Sequence, residues 1–111
     1  MIEGETTAMY KRNKGNRCVE LYDAILTLKT REECMKFFSD LCTVSELSAM
    51  EQRYQVASFL RQGMIYNDIL DRTGASSATI SRVNRSLQYG ADGYEIVFKR
   101  LGYPDEGRRE E

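Results

Sequence analysis

Apolar residues recur along this chain at intervals of three and four, the period of helices that each bury one face. Val19, Tyr22, Ile25 and Leu26, continued by the stem of Lys29, make the first such stripe and predict a helix from about Asn16 to Lys29. Thr30-Arg31-Glu32-Glu33 then has the form of a capping box, in which the threonine oxygen takes a free amide and the second glutamate reaches back. It opens a second helix to about Leu41, with Met35, Phe37, Phe38 and Leu41 apolar. Thr43-Val44-Ser45-Glu46 repeats the device and starts a longer helix to about Gln62, with Leu47, Met50, Tyr54, Ala57 and Leu60 on one stripe. Gly63 ends that helix.

The pattern from about residue 65 to 88 is that of a helix-turn-helix. Ile65, Ile69 and Leu70 supply a short first helix, and Gly74 stands where the chain must turn. Ser76 follows as a candidate N-cap. Beyond it, Ile80, Val83 and Leu87 share one face, while Ala78, Ser81, Arg82 and Arg85 share the other. A helix with small residues and arginines on its outer face suits a DNA major groove. Gly90-Ala91-Asp92-Gly93 reads as a loop, with Asp92 a candidate cap for a last helix from about Tyr94 to Leu101, ended by Gly102 and Pro104. Pro104 is the one proline, so nothing breaks the interior. The expected fold is therefore all-α: a single domain of about six helices over residues 14–103, between a polar N-terminal arm at 1–13 and a polar tail at 104–111.

Composition narrows the chemistry. No apolar run approaches a membrane span, and the first fifteen residues lack a secretory core, so a cytoplasmic protein is expected. Cys18, Cys34 and Cys42 form no CxxC pair and there is no histidine, so neither a metal site nor a Ser-His or Cys-His nucleophile is expected. Reduced, mostly buried thiols, no cofactor and no enzymatic activity are the corresponding expectations. The net charge of −1, from 16 basic and 17 acidic residues, does not announce a nucleic-acid partner. Its distribution is more telling. From Arg72 to Ala91 the only charges are Arg72, Arg82 and Arg85, whereas acids gather in Glu32–Glu51 and after Pro104. Three arginines on an exposed helix also serve solubility, so this signal alone is weak.

Candidate DNA contacts follow from position. Tyr66 and Asn67 open the first motif helix, where phosphates lie; Ser76 and Ser77 stand at the turn; Ala78, Thr79, Ser81 and Arg82 occupy the start of the second helix. Alanine and threonine methyls can meet a thymine methyl, and hydroxyls reach base edges or phosphates. Arg85 suits either a guanine edge or a phosphate, and phosphate is favoured because backbone contacts outnumber base contacts. Lys11, Arg12, Lys14 and Arg17 form a basic arm that is either solvated or close to DNA. Tyr89 and Tyr94 are expected to pack rather than stack on bases. The first two helices carry more apolar surface than a small domain covers, which points to a dimer interface with Tyr22, Ile25, Leu26, Phe37 and Phe38. The alternative is that these residues close the monomer core.

The segment Leu41–Leu87 resembles the tryptophan repressor: Leu41-Cys42-Thr43, Ala49-Met50 with Arg53, Leu60-Arg61, then Gly74-Ala75 ahead of Ala78-Thr79-Ile80-Ser81-Arg82. The run Asn84-Arg85-Ser86-Leu87 followed by Tyr89-Gly90-Ala91-Asp92-Gly93-Tyr94 is closer to the Trp repressor-related family labelled YerC/YecD. The resemblance implies a bacterial, Trp repressor-like fold, an intertwined homodimer built through the N-terminal helices, and double-stranded DNA as partner. It also maps a corepressor pocket onto Thr43, Arg53, Arg82 and Ser86, but places Val83 where the family has the glycine that leaves room for an indole. Three extra carbons oppose tryptophan binding, so a tryptophan effector is not expected. Arg53 and Arg82 are then available to acids such as Glu46 or Asp68, or to phosphate. Ile65 is a second departure, an apolar residue where the family has a hydroxyl cap. Two functions fit: a sequence-specific DNA-binding transcriptional regulator, expected as a repressor on pseudo-palindromic sites, or a non-enzymatic protein-interaction module that keeps the helix-turn-helix fold.

Overall fold

The structure is a computed structural model that describes residues 17–105; Lys11, Arg12 and Lys14 of the basic arm lie outside them. Among the described residues there are six helices and no strand: α1 Val19–Leu26, α2 Arg31–Leu41, α3 Val44–Arg61, α4 Tyr66–Thr73, α5 Ser77–Tyr89 and α6 Gly93–Leu101. Of the two expected capping boxes, the one at Thr43 closes and the one at Thr30 forms only its hydroxyl half. Thr43 Oγ1 accepts from the Glu46 amide at 3.0 Å while Glu46 Oε1 accepts from the Thr43 amide at 2.9 Å. Thr30 likewise caps Glu33, but the Glu33 carboxylate reaches one residue further back, to the Lys29 amide at 2.8 Å. That contact explains why α1 stops at Leu26 rather than Lys29. The Lys29 amide serves the next helix, and Thr27 Oγ1 bonds back to the Ala24 carbonyl at 2.7 Å.

The core is assembled around the C-terminal half of α3. Val56 and Ala57 meet Ile69 of α4, Ala75 of the turn, Ile80 and Val83 of α5, and Phe98 of α6. The axis of the molecule is thus α3, packed most extensively on α5, next on α4 and less on α2. Of the expected α3 stripe only Ala57 is fully buried; Leu47 and Leu60 are half-buried, and Met50 and Tyr54 are exposed. The N-terminal half of α3 instead faces a groove of about 840 Å³ shared with α2, lined by Met35, Phe38, Leu47, Met50 and Tyr54 among others. Neither α1 nor α2 contains a buried residue.

Some sequence expectations change here. Cys18 and Cys34 are exposed and Cys42 is half-buried, because Cys18 precedes α1, Cys34 rides on α2 and Cys42 ends it, and neither helix has a fully buried residue. Tyr89 is 77% exposed, since α5 ends there and leaves its last side chain beyond the core. Tyr94 does pack, stacked on Phe98 with centroids 5.8 Å apart. Asp92 occupies the N-cap position of α6 but makes no capping bond; its φ of 67° puts it in the left-handed region, where the backbone turns the side chain from the helix amides. No described helix is long and apolar enough to cross a membrane.

Candidate nucleic-acid interface

The two motif helices meet at a turn fixed by polar contacts as well as packing. Gly74, at φ 70°, takes the left-handed conformation that ends α4 and sends the chain into α5. Thr73 Oγ1 donates to the Ile69 carbonyl at 2.7 Å and accepts from the Ala75 amide at 3.1 Å. From the body, Gln52 Nε2 donates to the Thr73 carbonyl at 3.0 Å. Ser76 caps α5 as expected, accepting from the Thr79 amide at 3.1 Å, with the two hydroxyls also 3.1 Å apart. α5 ends at Gly90, where a Cβ would lie 2.5 Å from the Ser86 carbonyl oxygen.

This frame sorts the side chains of α5. Ile80 and Val83 are sealed in the core and Leu87 is half-buried. Ser77, Ala78, Ser81, Arg82 and Arg85 are exposed; 78, 81, 82 and 85 recur at the spacing of a single helix face. Thr79 is half-buried with its hydroxyl accepting from Ser76. Tyr66 and Asn67 are exposed at the start of α4, whose N-cap, Ile65, makes no side-chain bond. The amides at that end consequently lack a side-chain acceptor. Among the described residues, neither Arg82 nor Arg85 is paired with an acid, and Arg72 lies over the Phe59 ring at 5.7 Å. The exposed face of α5 therefore presents two uncompensated guanidinium groups beside small side chains.

The positions matched to a corepressor pocket are distributed differently. Val83 is 2% exposed, while Arg53, Arg82 and Ser86 are exposed, and Thr43 is engaged in capping α3. Arg53 and Arg82 pair with neither Glu46 nor Asp68. Instead, Arg53 is felt by Tyr94: burial raises that phenol above its ordinary value, and the nearby guanidinium partly opposes the rise. Phe37 and Phe38 pack edge to face at 5.5 Å, half-buried with Ile25, whereas Tyr22 and Leu26 are exposed.

Sequence reasoning did not find Arg61 or Gln52. Arg61 is 7% exposed beneath α6, 2.7 Å from Glu95 and 3.8 Å from Asp105; it donates to the Tyr103 and Pro104 carbonyls and lies 5.5 Å over the Phe98 ring. Its position four residues after Ala57, on the same helix face, is the one signal that it points inward.

Comparison with known proteins agrees with this geometry. The family described as Trp repressor protein matches residues 17–102. The Bacillus subtilis (strain 168) protein YerC, itself described as uncharacterized, is 49% identical over 88 residues, covering 79% of this chain and 85% of YerC. A Trp repressor candidate from Staphylococcus aureus, known from a crystal structure, shares 49% identity with a TM-score of 0.78, over 84% of this chain and 96% of that one. A TrpR-like protein from Eubacterium eligens ATCC 27750 shares 50% identity with a TM-score of 0.78, over 85% and 97%. With six helices in this order, a capped recognition-type helix on a buried face and that breadth of match, the chain belongs to the Trp repressor family, in its TrpR-like YerC branch, and has the fold of helix-turn-helix DNA-binding regulators.

Proposed function

We propose that this protein is a cytoplasmic, sequence-specific DNA-binding transcriptional regulator, a repressor that reads pseudo-palindromic duplex DNA as a homodimer without tryptophan. The observation that carries this is the exposed face of α5: Arg82 and Arg85, paired with no acid among the described residues, beside Ala78 and Ser81 on a helix anchored by Ile80 and Val83. Ala78, Thr79 and Ser81 are the base-facing side chains; Thr79 Oγ1 accepts from the Ser76 hydroxyl, which leaves its own proton and methyl for a base edge. Arg82 and Arg85 serve phosphates, as do Tyr66, Asn67, Ser76 and Ser77 around the helix starts. Support for a dimer comes from α1 and α2, in which no residue is fully buried. Two symmetric heads would address half-sites about one helical turn, ~34 Å, apart.

The test is a salt titration on duplexes selected from a random-sequence pool. Affinity should fall steeply as salt rises, and Arg85→Ala should weaken binding to all sequences alike while lowering the salt slope by about one. Substitution of Ala78 should instead change the preferred sequence. Binding of a protein partner that ignores salt, with no duplex retained, would favour the interaction-module function and end this proposal.

A further inference from the structure

Most contacts between the body and the motif are apolar and therefore non-directional: Val56 and Ala57 against Ile69, Ile80 and Val83. Such packing sets how close the head lies to α3 but weakly constrains how it is rotated. A directional contact stands out. Gln52, half-buried on α3, donates from Nε2 to the Thr73 carbonyl at the end of α4, 21 residues further along the chain. Thr73 is also the residue whose hydroxyl joins the Ile69 carbonyl to the Ala75 amide. One residue beyond Ala75, Ser76 caps α5. A polar chain thus runs from the body, through the α4 terminus and the Gly74 turn, to the start of the recognition helix.

We propose that Gln52 is a positioning residue that fixes the orientation of the helix-turn-helix on the body, and thereby the separation of half-sites that a dimer accepts. The inference rests on the proposed DNA reading and adds a determinant of specificity that touches no DNA. Two heads on one duplex must keep their phase with the helical repeat, so a small rotation of each about α3 changes the spacing that fits. Gln52 and Thr73 also line the groove between α2 and α3.

The test uses the full chain and Gln52→Met, which keeps the length of the side chain and removes its donor, with Gln52→Ala as a second variant. In the absence of DNA, amide exchange at Gly74 and Ala75 should accelerate about fivefold in both variants, while Val56 in the C-terminal half of α3 stays within twofold of wild type. Unchanged exchange at the turn, or an equal rise at Val56, overturns the proposal, the latter because it reports a general loss of stability. On a duplex recovered from a random-sequence pool, wild type should lose at least tenfold in affinity when one base pair is inserted or deleted at the centre of the site. Gln52→Met should compress that discrimination to threefold or less, with the dimer constant unchanged. Full retention of the spacing preference overturns the role in specificity. Wild type that retains no duplex defeats the DNA reading and, with it, the role in spacing; the exchange measurement still decides whether Gln52 orients the turn.

Discussion

Val83 sits in the same buried cluster as Ile80 and Phe98, so three side-chain carbons of α5 are committed to holding the helix on the body. Its inward direction was legible from the helical period, and its chemical meaning from the resemblance, which places glycine there. Arg61 was not legible, because an arginine at a helix end reads as a solvated charge; it is buried only because Glu95, Asp105 and two carbonyls, 34 or more residues away, converge on it. Replacing Val83 by glycine should cost about 3 kcal/mol, from roughly 0.8 kcal/mol per buried carbon and about 1 kcal/mol for glycine in a helix. The melting temperature should drop by at least about 10 °C. Calorimetry of wild type with millimolar L-tryptophan should show no saturable heat; operator binding that appears only on adding tryptophan would restore a corepressor. A second residue-scale outcome concerns Tyr54, 37% exposed, whose phenol is pushed from 10.0 up to about 12, first by partial loss of water around it and then by its hydrogen bond and charge interaction with Tyr103. The folded protein keeps this proton when the unfolded chain has lost it, so the contribution is complete below about pH 10 and is lost as pH rises through about 12. Tyr54→Phe should flatten the fall of melting temperature between pH 9 and 12, and an unchanged slope would show that Tyr54 is not its source.

At the scale of elements, the capping residues were the most dependable signals. Thr30, Thr43 and Ser76 all cap the helices expected of them, because these interactions are local and need nothing from the rest of the fold. Asp92 fails as a cap because its own backbone is left-handed, a conformation set by the Gly90–Gly93 loop rather than by residue type. The buried side of α3 was misplaced because one helix serves two surfaces, and a single periodic stripe cannot represent both: its C-terminal half faces the head and its N-terminal half faces the groove. The missing cap of α4 gives an element-scale prediction. Ile65 is 63% exposed and contributes no side-chain bond, so Ile65→Ser sacrifices little burial and supplies an acceptor for the Asn67 or Asp68 amide. α4 should gain about 0.5–2 kcal/mol, visible as slower amide exchange across residues 66–70. Exchange that is no slower would mean that another group already satisfies the α4 N-terminus.

For the whole molecule, the decisive quantity is apolar surface without a partner among the described residues. Val19, Leu26 and Met35 are 60%, 81% and 63% exposed, and the groove beside α3 is apolar along much of its wall. The radius of gyration, 15.2 Å, exceeds the roughly 13 Å of a compact 100-residue domain, as expected when the first two helices are only half covered. An isolated chain would leave these faces in water, at a cost of about 25 cal/mol for each Å² of apolar area that a partner would cover. A second copy supplies complementary faces by symmetry, and obligate interfaces of this kind commonly exceed about 2,000 Å². Sedimentation at micromolar concentration should therefore show dimer alone, with a melting temperature that rises with protein concentration. Leu26→Asp puts a charge where the interface must be dry and should shift the equilibrium toward monomer, with helix content falling because α1 loses its packing partner. A compact wild-type monomer with full helix content at micromolar concentration would mean that α1 and α2 are stable exposed, and would remove the symmetric two-headed arrangement on which the half-site spacing depends.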